Sequence, residues 1–297
     1  MNVLILLPST QSETTKPLIE RIIGGGFSTS SCVPAFLSDT ELLANLQTAT
    51  LFVFILDTWC FTEPGFLFAA GYSLGGKHPV FLYNPGSLRI PAYFGQAVQS
   101  RDTDALITLL GEERILWKRK LEISEARAML EAEDISLTTE ALFRSISDGD
   151  TRVAELFFRA GFSPNLKDAK GVPLLSCAVR NRHRFFIPIL LGRGAEINAV
   201  SGDRGNTALM DACADGDEDI ARDLIGAGAE VDTKSKNGQT ALILAVGKGN
   251  TRIASMLIEA GADPEVKDSL GMSAKKYAQL FNLTEVVRVI ERTGSKA

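Results

Sequence analysis

Two carboxylates stand closest to chemistry in this sequence. Asp57 ends the apolar run 51–56, LFVFIL, and Glu63 follows six residues later in the turn DTWCFTEPG. A pair of carboxylates beyond the ends of strands suits general acid–base work and can stabilise an oxocarbenium-like sugar transition state. The bland reading of the same pair is structural, because acids near a helix N-terminus are favoured by the helix dipole. Little else in the chain competes. His78 and His183 are the only histidines, so a Ser-His relay or a histidine-rich zinc site is poorly supplied. Cys32, Cys60, Cys177 and Cys213 form no C-x-x-C pair and read as reduced thiols. Cys60 has no basic neighbour in sequence to activate it.

The elements that must position the carboxylates follow from hydropathy. Six successive apolar residues at 51–56 fit a strand covered on both faces of a parallel sheet. A second apolar stretch runs from Gly65 through Gly71, Gly75 and Gly76 to a short strand at 80–83, completing a right-handed βαβ unit. Ligands in such sheets bind outside the carboxyl ends of the strands, where Asp57 and Glu63 would lie. Upstream, residues 2–7 (NVLILL) predict a first strand and 15–23 a helix ended by Gly24, Gly25 and Gly26. That triplet follows a helix and lacks the Lys-Ser/Thr of a phosphate loop, so it predicts a turn. A second strand is expected at 32–36, a helix from Ser38 or Asp39 to Gln47, a third strand at 49–56, and a short helix at 102–110. Strands and helices alternate, which predicts a small doubly wound α/β domain.

The same stretch carries two resemblances. Glu63-Pro64-Gly65, Gly71-Tyr72 and Gly76-Lys77-His78-Pro79-Val80 resemble the nucleoside 2-deoxyribosyltransferase family. The resemblance implies a strand-end acid at Asp57, a turn acid at Glu63, and a nucleoside or nucleotide ligand held near Asp57, Glu63, Gly65 and Tyr72. It also implies a nucleophilic glutamate, but counting back from Gly71-Tyr72 that position holds Ala69, and alanine forms no glycosyl ester. The early tyrosine of the family is replaced by Pro8-Ser9-Thr10. The segment Asp57-Thr58-Trp59-Cys60-Phe61-Thr62-Glu63 is similar to the Trp-Cys-x-x-Glu segment of TIR domains, whose flavodoxin-like topology is related. In the NAD-cleaving TIR domains the glutamate corresponding to Glu63 is catalytic. Here Pro64 stands where a leucine is usual and Asp57 where a serine is usual. Neither resemblance extends past about residue 115. Enzymes of the transferase family build their site across subunits, which implies a homodimer through this domain.

Residues 112–134 are charged and helical in pattern, with Ile115, Leu116, Ile123, Ala126, Met129 and Leu130 at helical spacing, and predict a connecting helix. Beyond it the sequence repeats. Gly205-Asn-Thr-Ala-Leu209 returns as Gly238-Gln-Thr-Ala-Leu242, with looser copies beginning at Gly171 and Gly271. A second series, Gly161, Gly194, Gly228 and Gly261, keeps the same 33-residue period, broken by one extra residue between Gly194 and Gly205. Two motif series in one period resemble the ankyrin repeat. The resemblance implies an all-α solenoid in which Thr207, Thr240 and Ser273 cap first helices and the second glycine series ends second helices. Leu175, Leu209 and Leu242 would face a continuous core with Val153, Leu156, Ile220, Leu224, Ile253 and Leu257. Lys275, standing where leucine is expected, marks a capping repeat.

The ankyrin concave face implies a protein partner. Its hairpin tips offer Lys167, Lys170, Arg204, Lys234, Lys236, Asn237 and Lys267, and residues 180–184 (RNRHR) add a basic knot. The remaining numbers exclude function classes. A net charge of −5 argues against nucleic acid as partner. No apolar run approaches a membrane span, residues 3–7 are too short for a signal peptide, and no cofactor or metal is called for. A cytoplasmic location is expected. The expected order is an α/β domain over 1–115, a connecting helix over 116–136, and repeats at 137–169, 170–203, 204–236, 237–269 and 270–297. Function is expected to be partner binding by the repeats with a degenerate transferase-like domain. The alternative is an N-glycoside-cleaving enzyme using Glu63 and Asp57.

Overall fold

The computed structural model describes residues 2–7, 15–25, 27–32, 39–56, 64–76, 78–85, 88–90 and 92–294. The chain divides into two compact units, Met1–Leu121 and Glu122–Ala297.

In the first unit five parallel strands form one sheet: β1 (Asn2–Leu6), β2 (Ser28–Cys32), β3 (Leu51–Ile55), β4 (Val80–Tyr83) and β5 (Val98–Ser100). Their order is β2-β1-β3-β4-β5, with Val3 opposite Leu51 and Phe52 opposite Val80. This is the flavodoxin-like order, whose direction reverses between β1 and β3. Alternating side chains explain why the central strands are apolar throughout. Leu4, Leu6, Phe52, Phe54 and Leu82 face α2 (Asp39–Thr48) and α3 (Pro64–Gly75), where Leu42, Leu46, Phe66, Ala69 and Ala70 close one core. Val3, Ile5, Leu51, Val53, Ile55 and Phe81 face the other way, against Leu18 and Ile22 of α1 (Thr15–Gly24) and Leu106 and Leu110 of α4 (Thr103–Ala132). Phe54 packs edge-on to Phe66 and Phe94, with ring centroids 5.1 and 5.7 Å apart.

Three sequence expectations shift. The second strand is Ser28–Cys32, earlier than the apolar stretch at 32–36 suggested; it is an edge strand, and its serines are tolerated because β1 alone pairs with it. The helices expected at 102–110 and 112–134 are one helix, α4, 30 residues long. Gly111 does not break it, since glycine costs a helix interior only about 1 kcal/mol and leucines at 106 and 110 anchor the turn before it. At the end of α1 the Gly25 amide donates to the Arg21 and Ile22 carbonyls, and its own carbonyl accepts from Arg114 Nη1 at 2.6 Å. The glycines there terminate a helix.

The second unit contains five helix pairs among the described residues: α5 (Thr139–Asp148) with α6 (Thr151–Arg159), α7 (Leu174–Arg180) with α8 (Phe186–Gly192), α9 (Ala208–Asp215) with α10 (Glu218–Gly226), α11 (Ala241–Lys248) with α12 (Thr251–Glu259), and α13 (Ala274–Leu280) with α14 (Thr284–Gly294). Thr207, Thr240 and Ser273 accept from the backbone amides of Met210, Ile243 and Lys276. Gly161, Gly194, Gly228 and Gly261 follow the second helices at φ between 85° and 95°. Every leucine, isoleucine and valine assigned to the continuous core from the period is buried. Pro173 replaces the capping threonine of α7 and makes no side-chain cap.

Candidate functional site

In the first unit the crevice favoured by the topology lies beyond the carboxyl ends of β1 and β3. Leu56, the last described residue after β3, is buried, and Asp57 is the next residue in the chain. Asp57 and Glu63 lie outside the described residues, as do Trp59 and Cys60. Gly65 falls in the first turn of α3. Tyr72 comes seven residues later, about 10 Å along the helix axis, and is half-buried against the core beneath that face of the sheet. Gly65 and Tyr72 therefore sit at separate levels of one helix. Ala69 is fully buried against the sheet, between Phe66 and Ala70 on the inner face of α3.

In the second unit each hairpin is closed by a polar side chain that the period did not single out. Asp168 Oδ1 accepts from the amides of Lys170 and Val172, and Asp268 Oδ1 from Leu270 and Met272. Ser201 Oγ accepts from Asn206, and Ser235 Oγ from Gln239. A second ladder joins neighbours: Asn165, Asn198 and Asp232 accept from the amides of Glu196, Glu230 and Asp263, one repeat onward. Both ladders were available in the sequence as polar residues at the same period, hidden because aspartate, asparagine and serine share the task.

The tip lysines are exposed and also bridge repeats. Lys167 Nζ donates to the Val200 carbonyl at 3.3 Å and Lys234 Nζ to that of Lys267 at 3.4 Å. Lys236 Nζ donates to the Gly202 carbonyl, and the Asn237 carbonyl accepts from the Ser269 amide at 3.0 Å. Lys170, Arg204 and Lys267 are exposed at the tips. The extra residue of the 34-residue interval falls in one tip. Ser201 closes on Asn206, five residues on, where Asp168, Ser235 and Asp268 close on residues four positions on.

That lengthened tip, Gly202-Asp203-Arg204, is held by Arg180. Its Nη1 and Nη2 donate to Asp203 at 2.7 and 3.1 Å, and its Nε donates to Asp211 Oδ2 at 2.7 Å. Asp211 is buried and takes a further bond from Asn206 Nδ2 at 2.8 Å. Burial works against the Arg180 charge, but its bonds to Asp203 and Asp211 outweigh that and the guanidinium is held more firmly protonated than usual. The bond from Arg180 keeps the Asp203 carboxyl well below the ordinary carboxylate range. The basic knot is thus largely spent within the fold. Arg184 pairs with Asp223 at 2.5 and 2.8 Å, and His183 Nε2 lies 2.9 Å from the Ser147 carbonyl. Cys177 and Cys213 are buried free thiols, and burial pushes both upward in pKa, away from the reactive thiolate. Among the described residues no cluster of His, Cys, Asp and Glu is placed to hold a metal, and no helix is long and apolar enough to cross a membrane.

The family model for ankyrin repeats, spanning three copies, matches residues 142–235 and again 209–295, together more than half of the chain. The chain belongs to the ankyrin repeat family. An ankyrin repeat-containing protein of Treponema pallidum (strain Nichols) is 35% identical over 241 residues, 81% of this chain and 81% of its own length. A match longer than the whole second unit reaches into the α/β unit, so the likeness to that relative is not confined to the repeats. An ankyrin repeat-containing protein of Schizosaccharomyces pombe is 36% identical over 103 residues, 35% of this chain and 47% of its own length.

Proposed function

We propose that the chain is an interaction protein in which the ankyrin array holds a protein partner, while the α/β unit is a degenerate relative of the nucleoside 2-deoxyribosyltransferases that retains ligand binding without glycosyl transfer. The observation that carries the second half is Ala69. The position that the resemblance assigns to the nucleophile has no nucleophilic group and is packed against the sheet beside Phe66 and Ala70, so that side chain faces core. Membership of the ankyrin family supports the first half, since these arrays commonly serve protein–protein contact. The exposed tip residues Lys170, Arg204 and Lys267 lie where such a partner would meet the array. The buried reduced thiols fit a cytoplasmic setting.

A second reading keeps Asp57 and Glu63 as an acid pair that cleaves an N-glycosidic bond of a nucleoside or NAD. It is favoured by one observation: β3 ends at Ile55 on the switch point of the sheet, and Asp57 stands two residues later in the sequence. One experiment separates the two. Free base is followed chromatographically during long incubation with deoxynucleosides and NAD, beside the melting temperature with each. The binding reading expects a higher melting temperature with at least one ligand and no base released. Release that vanishes in Glu63→Gln would replace it with the enzyme reading. Neither release nor a melting shift would remove the ligand from the proposal and leave the array alone.

A further inference from the structure

The hairpin tips of the array carry both signs of charge in sequence, but the fold treats the two signs differently. Asp168 and Asp268 turn inward to close their own hairpins, each accepting two backbone amides, and Asp268 also accepts from Tyr277 Oη at 2.9 Å. Asp203 is held by Arg180. The cations turn outward. Lys167, Lys170, Arg204, Lys234, Lys236 and Lys267 are all exposed, and none forms an ion pair with an acid among the described residues. By contrast Arg152, Arg193, Arg222 and Arg252, on or beside second helices, each pair with a carboxylate. Hairpins 167–173, 200–206, 234–240 and 267–273 together hold six cations and three acids, a net of +3 in a chain of −5, which leaves −8 for the rest. Backbone bonds stitch the tips into one row. The Gly202, Lys236 and Ser269 amides donate to the Gly171, Arg204 and Asn237 carbonyls of the preceding tips, at 2.8, 3.2 and 3.0 Å. Lys167, Lys234 and Lys236 each direct one Nζ donor to a carbonyl of a neighbouring tip. An ammonium has three donors, so each of these lysines keeps two for a ligand.

We infer that this row of tips holds a linear acidic segment of the partner, whose carboxylates meet the ammonium and guanidinium groups of successive hairpins. The inference rests on the reading of the array as a module that holds a protein, and it names the chemistry of what is held. Charge complementarity carries it. The row is positive in a chain that is otherwise negative, so it attracts an acidic segment that the rest of the molecule repels. Pairs between exposed charges are individually weak, so recognition comes from several made at once, and it is sensitive to salt. Tips already bonded to one another lose little freedom when a ligand settles on them, which favours binding. A nucleic acid offers the same sign of charge, but its unbroken line of phosphates would run on past the row into the acidic remainder. A peptide can confine its carboxylates to the row.

Fluorescence anisotropy with the full chain tests it, using a short labelled peptide of alternating glutamate and serine. A lysine–serine peptide of the same length and a single-stranded oligonucleotide serve beside it. The acidic peptide should bind, and its affinity should fall about tenfold between roughly 50 and 300 mM salt as the exposed charges are screened. Combining Lys170→Glu, Arg204→Glu and Lys267→Glu should weaken binding by at least about tenfold. The melting temperature should not change, because none of these three side chains bonds to another described residue. The same reversal at Lys118, Lys120 and Arg144, exposed cations outside the row, gives an equal net charge and should bind the peptide as the wild type does. An acidic peptide that fails to bind, or binds both triple variants equally, overturns the inference and leaves the array free to hold a partner of other chemistry. A preference for the lysine peptide does the same. An oligonucleotide that binds more tightly than the acidic peptide, and is lost with the row, overturns both the inference and the reading beneath it.

Discussion

The two units solve the same problem, burying apolar surface from short elements, in ways that differ in how far each residue must reach. In the repeats a side chain finds its partner one period away: Asn165 at Glu196, Asn198 at Glu230, Lys234 at Lys267. In the sheet β1 lies between β2 and β3, and Val3 meets Leu51 across most of the first two helices. A repeat writes its tertiary contacts into its own period, so losing one leaves others of the same kind nearby. The sheet has one copy of each contact. Substitutions in its centre should therefore fall on the whole unit, and those in the array should grade with the burial of the group removed.

The largest effect tests that contrast at Ala69. Ala69→Glu places a carboxylate against the sheet with no partner, and the first unit should lose more than about 4 kcal/mol and unfold cooperatively. Circular dichroism should show the repeat helices melting as before. A variant as stable as the wild type would mean that this side of α3 opens to solvent, and would revive the transferase reading. Next comes Arg180→Ala, which strands the buried Asp211 and frees the lengthened tip. A loss of about 3 kcal/mol is expected in denaturant titration. Arg184→Ala removes an equally well-formed but half-exposed pair and should cost clearly less than Arg180→Ala. Equal losses would break the argument from burial. The Asp203 carboxyl adds a pH signature. Its pKa is lowered in the fold, so its contribution is complete above its unfolded value near 4 and is lost as pH falls through the folded one. The penalty of Arg180→Ala should shrink in strong acid. A smaller loss, about 1 kcal/mol, is expected for Thr240→Ala, which removes the cap of α11.

The same difference of reach explains what could be read in advance. The repeat helices, their caps and their core follow from two glycine series, because one period fixes register, burial and turn together. In the sheet the apolar runs at 2–7, 51–56 and 80–83 mark the buried strands. The serine-rich β2 is missed because an edge strand need not be apolar. Helix α4 is divided wrongly at Gly111 because local propensity is a weak force beside the packing of Leu106 and Leu110. The Arg180 cluster is invisible because its partners stand 23 and 31 residues away, and one of them exists only through the inserted residue of the tip. Asp57 and Glu63 were legible as chemistry; the geometry that would join them lies outside the described residues.

The smallest predicted effect asks whether the ladder that joins repeats tolerates the one charge placed in it. Asn165 and Asn198 fill two rungs with neutral amides, and Asp232 fills the third with a carboxylate that accepts from the Asp263 amide at 3.1 Å. Burial raises the pKa of Asp232; the bond from Asp263 opposes this, and the nearby Asp263 carboxylate adds to it. A carboxyl whose folded pKa lies above its unfolded one contributes stability below the unfolded value, and that contribution is lost as pH rises through the folded value. At neutral pH the wild type has already lost it. Asp232→Asn keeps an acceptor for the Asp263 amide and removes the charge, as the two earlier rungs do. The variant should be the more stable at pH 7, by less than about 1 kcal/mol because the group is exposed and screened. The gap should close as pH falls below about 4, where the wild-type carboxyl is protonated in both states. Denaturation midpoints at the two pH values measure this directly. An advantage that grew in acid would mean that the charge itself strengthens the rung, and the array would then prefer aspartate there for its bond to the next repeat.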